Sequence, residues 1–123
     1  MGIDIYLNWT GQTEAEKELQ YTGWGIVHGH TGYLREAYHG SPYATEFLVK
    51  EAFESEEGEA SIPSTLLRER LPETINLHIQ RCRKLYQEDV NWESPSSEAF
   101  IAFVELAERL EAKGKNPTII ASY

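Results

Sequence analysis

Apolar and polar residues alternate from Gly2 to Trp9. Ile3, Ile5, Leu7 and Trp9 fall on one side, and Asp4, Tyr6 and Asn8 on the other. A period of two predicts a half-buried strand, which Thr10-Gly11 ends. Thr13–Gln20 is polar and helix-prone, and Thr13 with Glu16 has capping-box spacing. So short and polar a helix is marginal by itself. Trp24–His28 predicts a short strand. Thr31 then predicts the cap of a two-turn helix through His39, with Gly40 as its left-handed stop. Ser41-Pro42 reads as cap and first residue of a further helix, with Tyr43, Phe47 and Leu48 on one face. Residues 49–62 fit two descriptions. Either the helix runs on, or Val49, Glu51 and Phe53 form a strand that returns through a turn near Gly58 to Ala60–Ile62.

The second half reads as two long helices and a strand. Pro63-Ser64 opens a short helix that Pro72 should end or kink. From Pro72 to about Asp89 an apolar stripe follows at Ile75, Ile79, Cys82 and Tyr86. Ser94-Pro95 starts the last helix, whose stripe is Phe100, Phe103, Val104, Ala107 and Leu110. Lys113 suits its negative end, and Gly114 stops it. Asn116-Pro117 turns the chain, and the β-branched run Thr118–Ala121 predicts a closing strand. The expected fold class is therefore α+β. A small, mainly antiparallel sheet, N- and C-terminal strands included, packs against two long helices plus several short ones.

With 123 residues and 14.1 kDa, the chain has room for one core, so residues 1–123 read as a single domain. Hydrophobic residues at 41% and charged residues at 25% exclude a wholly disordered chain. A net charge of -9 is the wrong sign for tracking phosphates, so nucleic acid is not an expected partner. No apolar run is long enough to span a bilayer, so neither is a membrane. The start Met1-Gly2-Ile3-Asp4 lacks the pattern of a secretory leader. The single cysteine, Cys82, fits a reducing compartment, and the expected location is cytoplasmic.

Candidate chemistry gathers in residues 21–47, which hold Tyr21, Trp24, Tyr33, Tyr38, Tyr43 and Phe47, together with three of the four histidines. Tyr33, Arg35, Tyr38, His39 and Tyr43 mix amphipathic rings with a planar donor fork. That mixture suits a surface for a protein partner or a small molecule. Its bland counterpart is tyrosines that cap a small core. His28-Gly29-His30 is a His-x-His pair, whose imidazoles point the same way on an extended chain. With His39 as third ligand, and Asp4 as fourth if the first strand lies alongside, they would form a divalent-metal site, zinc for example. The bland counterpart is histidines hydrogen-bonded beside a glycine-rich turn. Gly23, Gly25 and Gly29 lack dinucleotide-binding spacing.

Outside that segment, His78 and Cys82 are four apart on a helix, and Cys82 is expected to pack as a small hydrophobe. Arg68, Arg70, Arg81, Arg83 and Lys84 should pair with the acidic first half of the chain. The glutamates of residues 51–59 predict an exposed, mobile loop, and an acidic docking segment is a further reading of them. The leading expectation is a non-enzymatic binding or accessory module acting through residues 21–47. The alternative is a small metal-dependent hydrolase built on His28, His30 and His39.

Overall fold

The structure, a computed structural model, describes residues 3–22, 30–33, 44–88 and 97–122. Along the chain they form β1 (Ile3–Asn8), α1 (Glu14–Thr22), β2 (His30–Tyr33), α2 (Ala44–Leu48) and α3 (Lys50–Glu54). β3 (Glu59–Ala60), α4 (Ser64–Glu88), α5 (Ser97–Ala112) and β4 (Thr118–Ser122) follow. The fold class is α+β, as expected. The sheet order is β2-β1-β4-β3, and every neighbouring pair is antiparallel. The first and last strands are thus the two central ones. Ile5, Leu7, Ile119 and Ala121 present one sheet face to Leu67 and Leu71 of α4 and to Phe100, Phe103, Val104 and Ala107 of α5. Leu48, Val49 and Ala52 close the same core.

Local chemistry sets several boundaries. Thr13 and Glu16 close a reciprocal capping box: the Glu16 N–H donates to Thr13 Oγ1 at 3.1 Å, and the Thr13 N–H to Glu16 Oε1 at 3.0 Å. Buried Gln20 then ties α1 to β1, its Nε2 donating to the Leu7 carbonyl at 2.7 Å. At the end of α5, Gly114 adopts φ +70°. Its N–H donates to the Glu111 carbonyl, and the Lys115 N–H to the Leu110 carbonyl, each at 3.0 Å. Those two bonds are a Schellman stop, which satisfies the last carbonyls of the helix. Glu111 also reaches across to the start of α4. Its carboxylate accepts from the Ser64 N–H and from Ser64 Oγ, both at 2.8 Å. A negative group there meets the positive end of the helix dipole.

Five expectations need correction. First, Thr31–Tyr33 is strand, not the start of a helix, because these residues pair with Ile3–Ile5. The strand expected at Trp24–His28 and the Gly40 to Pro42 boundary lie outside the described residues. Second, residues 49–62 form neither one helix nor a hairpin. The chain leaves helical geometry at Val49 (φ -125°, ψ 41°), and α3 follows as a separate short helix. Gly58, at φ +71°, then turns the chain into β3. A Cβ on Gly58 would sit 3.0 Å from the Ala121 carbonyl, so glycine is required for this approach to β4.

Third, α4 runs unbroken through Pro72. The proline ring is exposed, and it removes the bond that would reach the Arg68 carbonyl. Arg68 and Arg70, four and two residues earlier, are held by Glu108 and Glu51 on either flank. Fourth, the buried positions of α4 are Leu67, Leu71, Thr74 and His78. Ile75 is half-buried and Ile79 is 38% exposed. The side chains of Cys82 and Tyr86 lie outside those described. Fifth, residues 51–59 are not one exposed loop. Glu51 and Glu54 belong to α3, and Glu59 opens β3. Among the described residues no helix is long and apolar enough to cross a membrane.

Candidate functional site

The alternation that buries Ile5 and Leu7 against the helices turns Tyr6 and Asn8 to the other face of the sheet. Tyr6 is 8% exposed. The register extends this outer face across all four strands. His30 stands opposite Tyr6, Tyr6 opposite Ile120, and Ile120 opposite Glu59. In the next row Gly32 stands opposite Asp4, and Asp4 opposite Ser122. Two expected site residues, His30 and Tyr33, therefore lie on β2, at its first and last positions. Tyr33 pairs with Ile3. His28, Arg35, Tyr38, His39 and Tyr43 fall outside the described residues.

The condition attached to Asp4 is met: β1 does lie beside the strand that carries His30. In the register Asp4 and His30 are diagonal neighbours, with Gly32 directly across from Asp4. Among the described residues no three His, Cys, Asp or Glu side chains cluster closely enough to hold a metal ion.

A second titratable group sits where α4 meets α5. His78 is buried, and its ring stands edge-on to Phe100 with centroids 5.3 Å apart and an interplanar angle of 67°. Burial pushes its pKa below the ordinary histidine value of 6.5, because desolvation penalises the imidazolium. Sequence periodicity does not mark His78 as core, because the apolar stripe of this helix runs through Ile75 and Ile79. Thr74, one turn earlier, is buried at no hydrogen-bond cost because its Oγ1 donates to the Arg70 carbonyl at 2.8 Å.

The direction of the His78 shift fixes the sign of a pH effect. Above pH 6.5 the imidazole is neutral in both folded and unfolded chains, so it does not bias folding. As pH falls below 6.5, the unfolded chain takes up the proton first, and stability declines. Urea melts between pH 7.5 and 5 should show this loss, and His78→Leu should flatten the slope. An unchanged slope in that variant would remove His78 as the cause. The Glu51 carboxyl, held low by Arg70, belongs to a separate window. Its contribution is present above its ordinary 4.5 and is lost on further acidification.

Arg70 is the most engaged cation described. Nη1 donates to the Leu48 carbonyl at 3.0 Å and to Glu51 Oε2 at 2.8 Å, while Nη2 donates to Glu51 Oε1 at 2.6 Å. One fork thus joins the end of α2, the start of α3 and the middle of α4. The expected pairing with the acidic first half holds at Arg70. Arg68 pairs instead with Glu108 of the second half. With both guanidiniums engaged by carboxylates, their described role is structural. Comparison with protein-family models, with curated proteins and with solved structures gave no match.

Proposed function

We propose that this protein is a non-enzymatic binding module that holds a protein segment or a small ligand through residues 21–47. The observation that supports this reading is the pairing of β2 with β1. It fastens the aromatic, His- and Gly-rich stretch to the sheet through residues 30–33. Tyr33, Arg35, Tyr38, His39 and Tyr43 are the residues assigned to the ligand. Tyrosine gives rigid apolar area with a polar tip, and arginine gives a planar fork for carboxylate or carbonyl groups. The single cysteine and the acidic charge accord with a cytoplasmic setting and with the absence of a nucleic-acid or membrane partner.

The test is selection from a displayed random-peptide library, together with a fragment library screened by ligand-observed NMR. Binding should be lost in Arg35→Ala and Tyr38→Ala, with stability changed by only about 0.5 kcal/mol, as for surface substitutions. Two results would defeat the reading. One is no enriched peptide or fragment. The other is a loss of about 3–5 kcal/mol in both Tyr38→Ala and Tyr43→Ala, the range of core aromatic truncations, with Arg35→Ala binding as the wild type does.

A further inference from the structure

We infer that α1 is a detachable strap: it lifts from the sheet and melts while the rest of the domain stays folded, baring the polar end of β1. Of the five described helices, α1 alone packs closely against no other described element. Its described side chains run from Glu14 to Gln20, and none of Glu14–Leu19 is buried. Leu19 is 44% exposed. Helices of nine residues are marginal in water and owe most of their stability to a packed apolar face. Elements with little buried apolar surface are the ones that open locally.

The described bonds of α1 are polar. The capping box of Thr13 and Glu16 and the 3.6 Å pair of Lys17 with Glu14 lie within the segment, so they do not dock it. Gln20 does, through the Leu7 carbonyl. β2 begins opposite Tyr6, so that carbonyl lies beyond its end, and the Gln20 amide stands in for a strand N–H. At the same end of β1, Asn8 Oδ1 and both amide atoms of Gln12 are buried with no hydrogen-bond partner. Buried polar atoms left unpaired lose water and gain nothing for it. Opening returns them to water, so their cost favours the open state. The turn before α1 is fixed independently: the Thr10 N–H donates to the Lys115 carbonyl at 2.8 Å, and the Gln12 N–H to the Trp9 carbonyl at 3.2 Å. Opening therefore stops at Gln12. Melting supplies its own slack, because nine residues lengthen from about 13.5 Å as helix to about 30 Å extended.

The experiment is native-state hydrogen exchange of the full-length chain, read by NMR at rising, sub-denaturing urea. It needs no ligand, so its outcome is independent of the binding role of residues 21–47. The expected result is exchange of the Glu18–Gln20 amides more than about tenfold faster than those of Phe103–Ala107 in α5. That exchange should also respond less to urea, because a local opening exposes little surface. Gln20→Ala should speed exchange in α1 about tenfold while leaving α5 unchanged. Gln12→Met keeps the chain length without the unpaired atoms, and should slow exchange in α1. The inference is overturned if α1 and α5 exchange at one rate with one urea dependence, since α1 then opens only with the whole domain. It is equally overturned if Gln20→Ala leaves α1 unchanged or speeds both helices alike, or if Gln12→Met exchanges as the wild type does.

Discussion

Removing residues 118–123 should abolish folding. β4 is not a terminal appendage. It lies between β1 and β3, pairing with five positions of the first and with both residues of β3. Its loss strips the Ile119 and Ala121 side chains from the core and breaks both ladders. Truncating one buried isoleucine costs about 2–5 kcal/mol, and a domain has only about 5–15 kcal/mol of net stability to lose. The Ala121 N–H also donates to the Gly58 carbonyl at 2.7 Å, so the turn before β3 goes with it. Circular dichroism should show no cooperative melt for the shortened chain. Ile120→Thr is the contrast, because Ile120 is half-buried on the outer face and should be far milder. A truncated protein that melts at the wild-type temperature would show that the sheet closes without β4.

Phe100→Ala should cost about 3–5 kcal/mol, the range of fully buried aromatic truncations. Phe100 is fully buried on α5, beside Phe103 and Val104. Its ring is also the wall against which His78 stands. Opening a cavity there rehydrates the imidazole, so the His78 pKa should rise back toward its ordinary value in the variant. Stability by urea melt and His78 titration by NMR read the two effects separately. A double-mutant cycle with His78→Leu should return a coupling of about 0.5–1.5 kcal/mol for the edge-on pair. A fall in stability with no change in His78 titration would confine the role of Phe100 to packing.

The elements legible in the sequence are those fixed by local rules. β1 declares itself by alternation, α5 by its 3–4 spacing, its end by Gly114, and the start of α1 by Thr13 and Glu16. What escaped was fixed by partners distant in sequence. His-Thr-Gly-Tyr has little strand character by itself, and β2 exists because β1 offers it a register. The same register, unreadable from spacing, brought Asp4 beside His30. α4 misled twice. Pro72 argues for a break by its chemistry, yet its ring faces solvent and the flanking turn is anchored from both sides. Its apolar stripe of Ile75, Ile79, Cys82 and Tyr86 points to one face, while Thr74 and His78 occupy the buried one. The first is satisfied by a backbone carbonyl and the second is driven neutral by burial. The acidic stretch looked solvated throughout because nothing local reveals that Glu51 answers Arg70, nineteen positions away.

The central strand pair has a kinetic consequence. β1 and β4 join residues more than a hundred positions apart, so their contact closes a very long loop. Closing it costs entropy that grows with loop length, and such non-local topology slows folding. The helices can assemble from near neighbours, but Ile5 and Leu7 have no completed sheet to join until residue 122 has been made. In a nascent chain β1 can therefore pair early with β2 on one edge, while its other edge stays open until β4 has emerged.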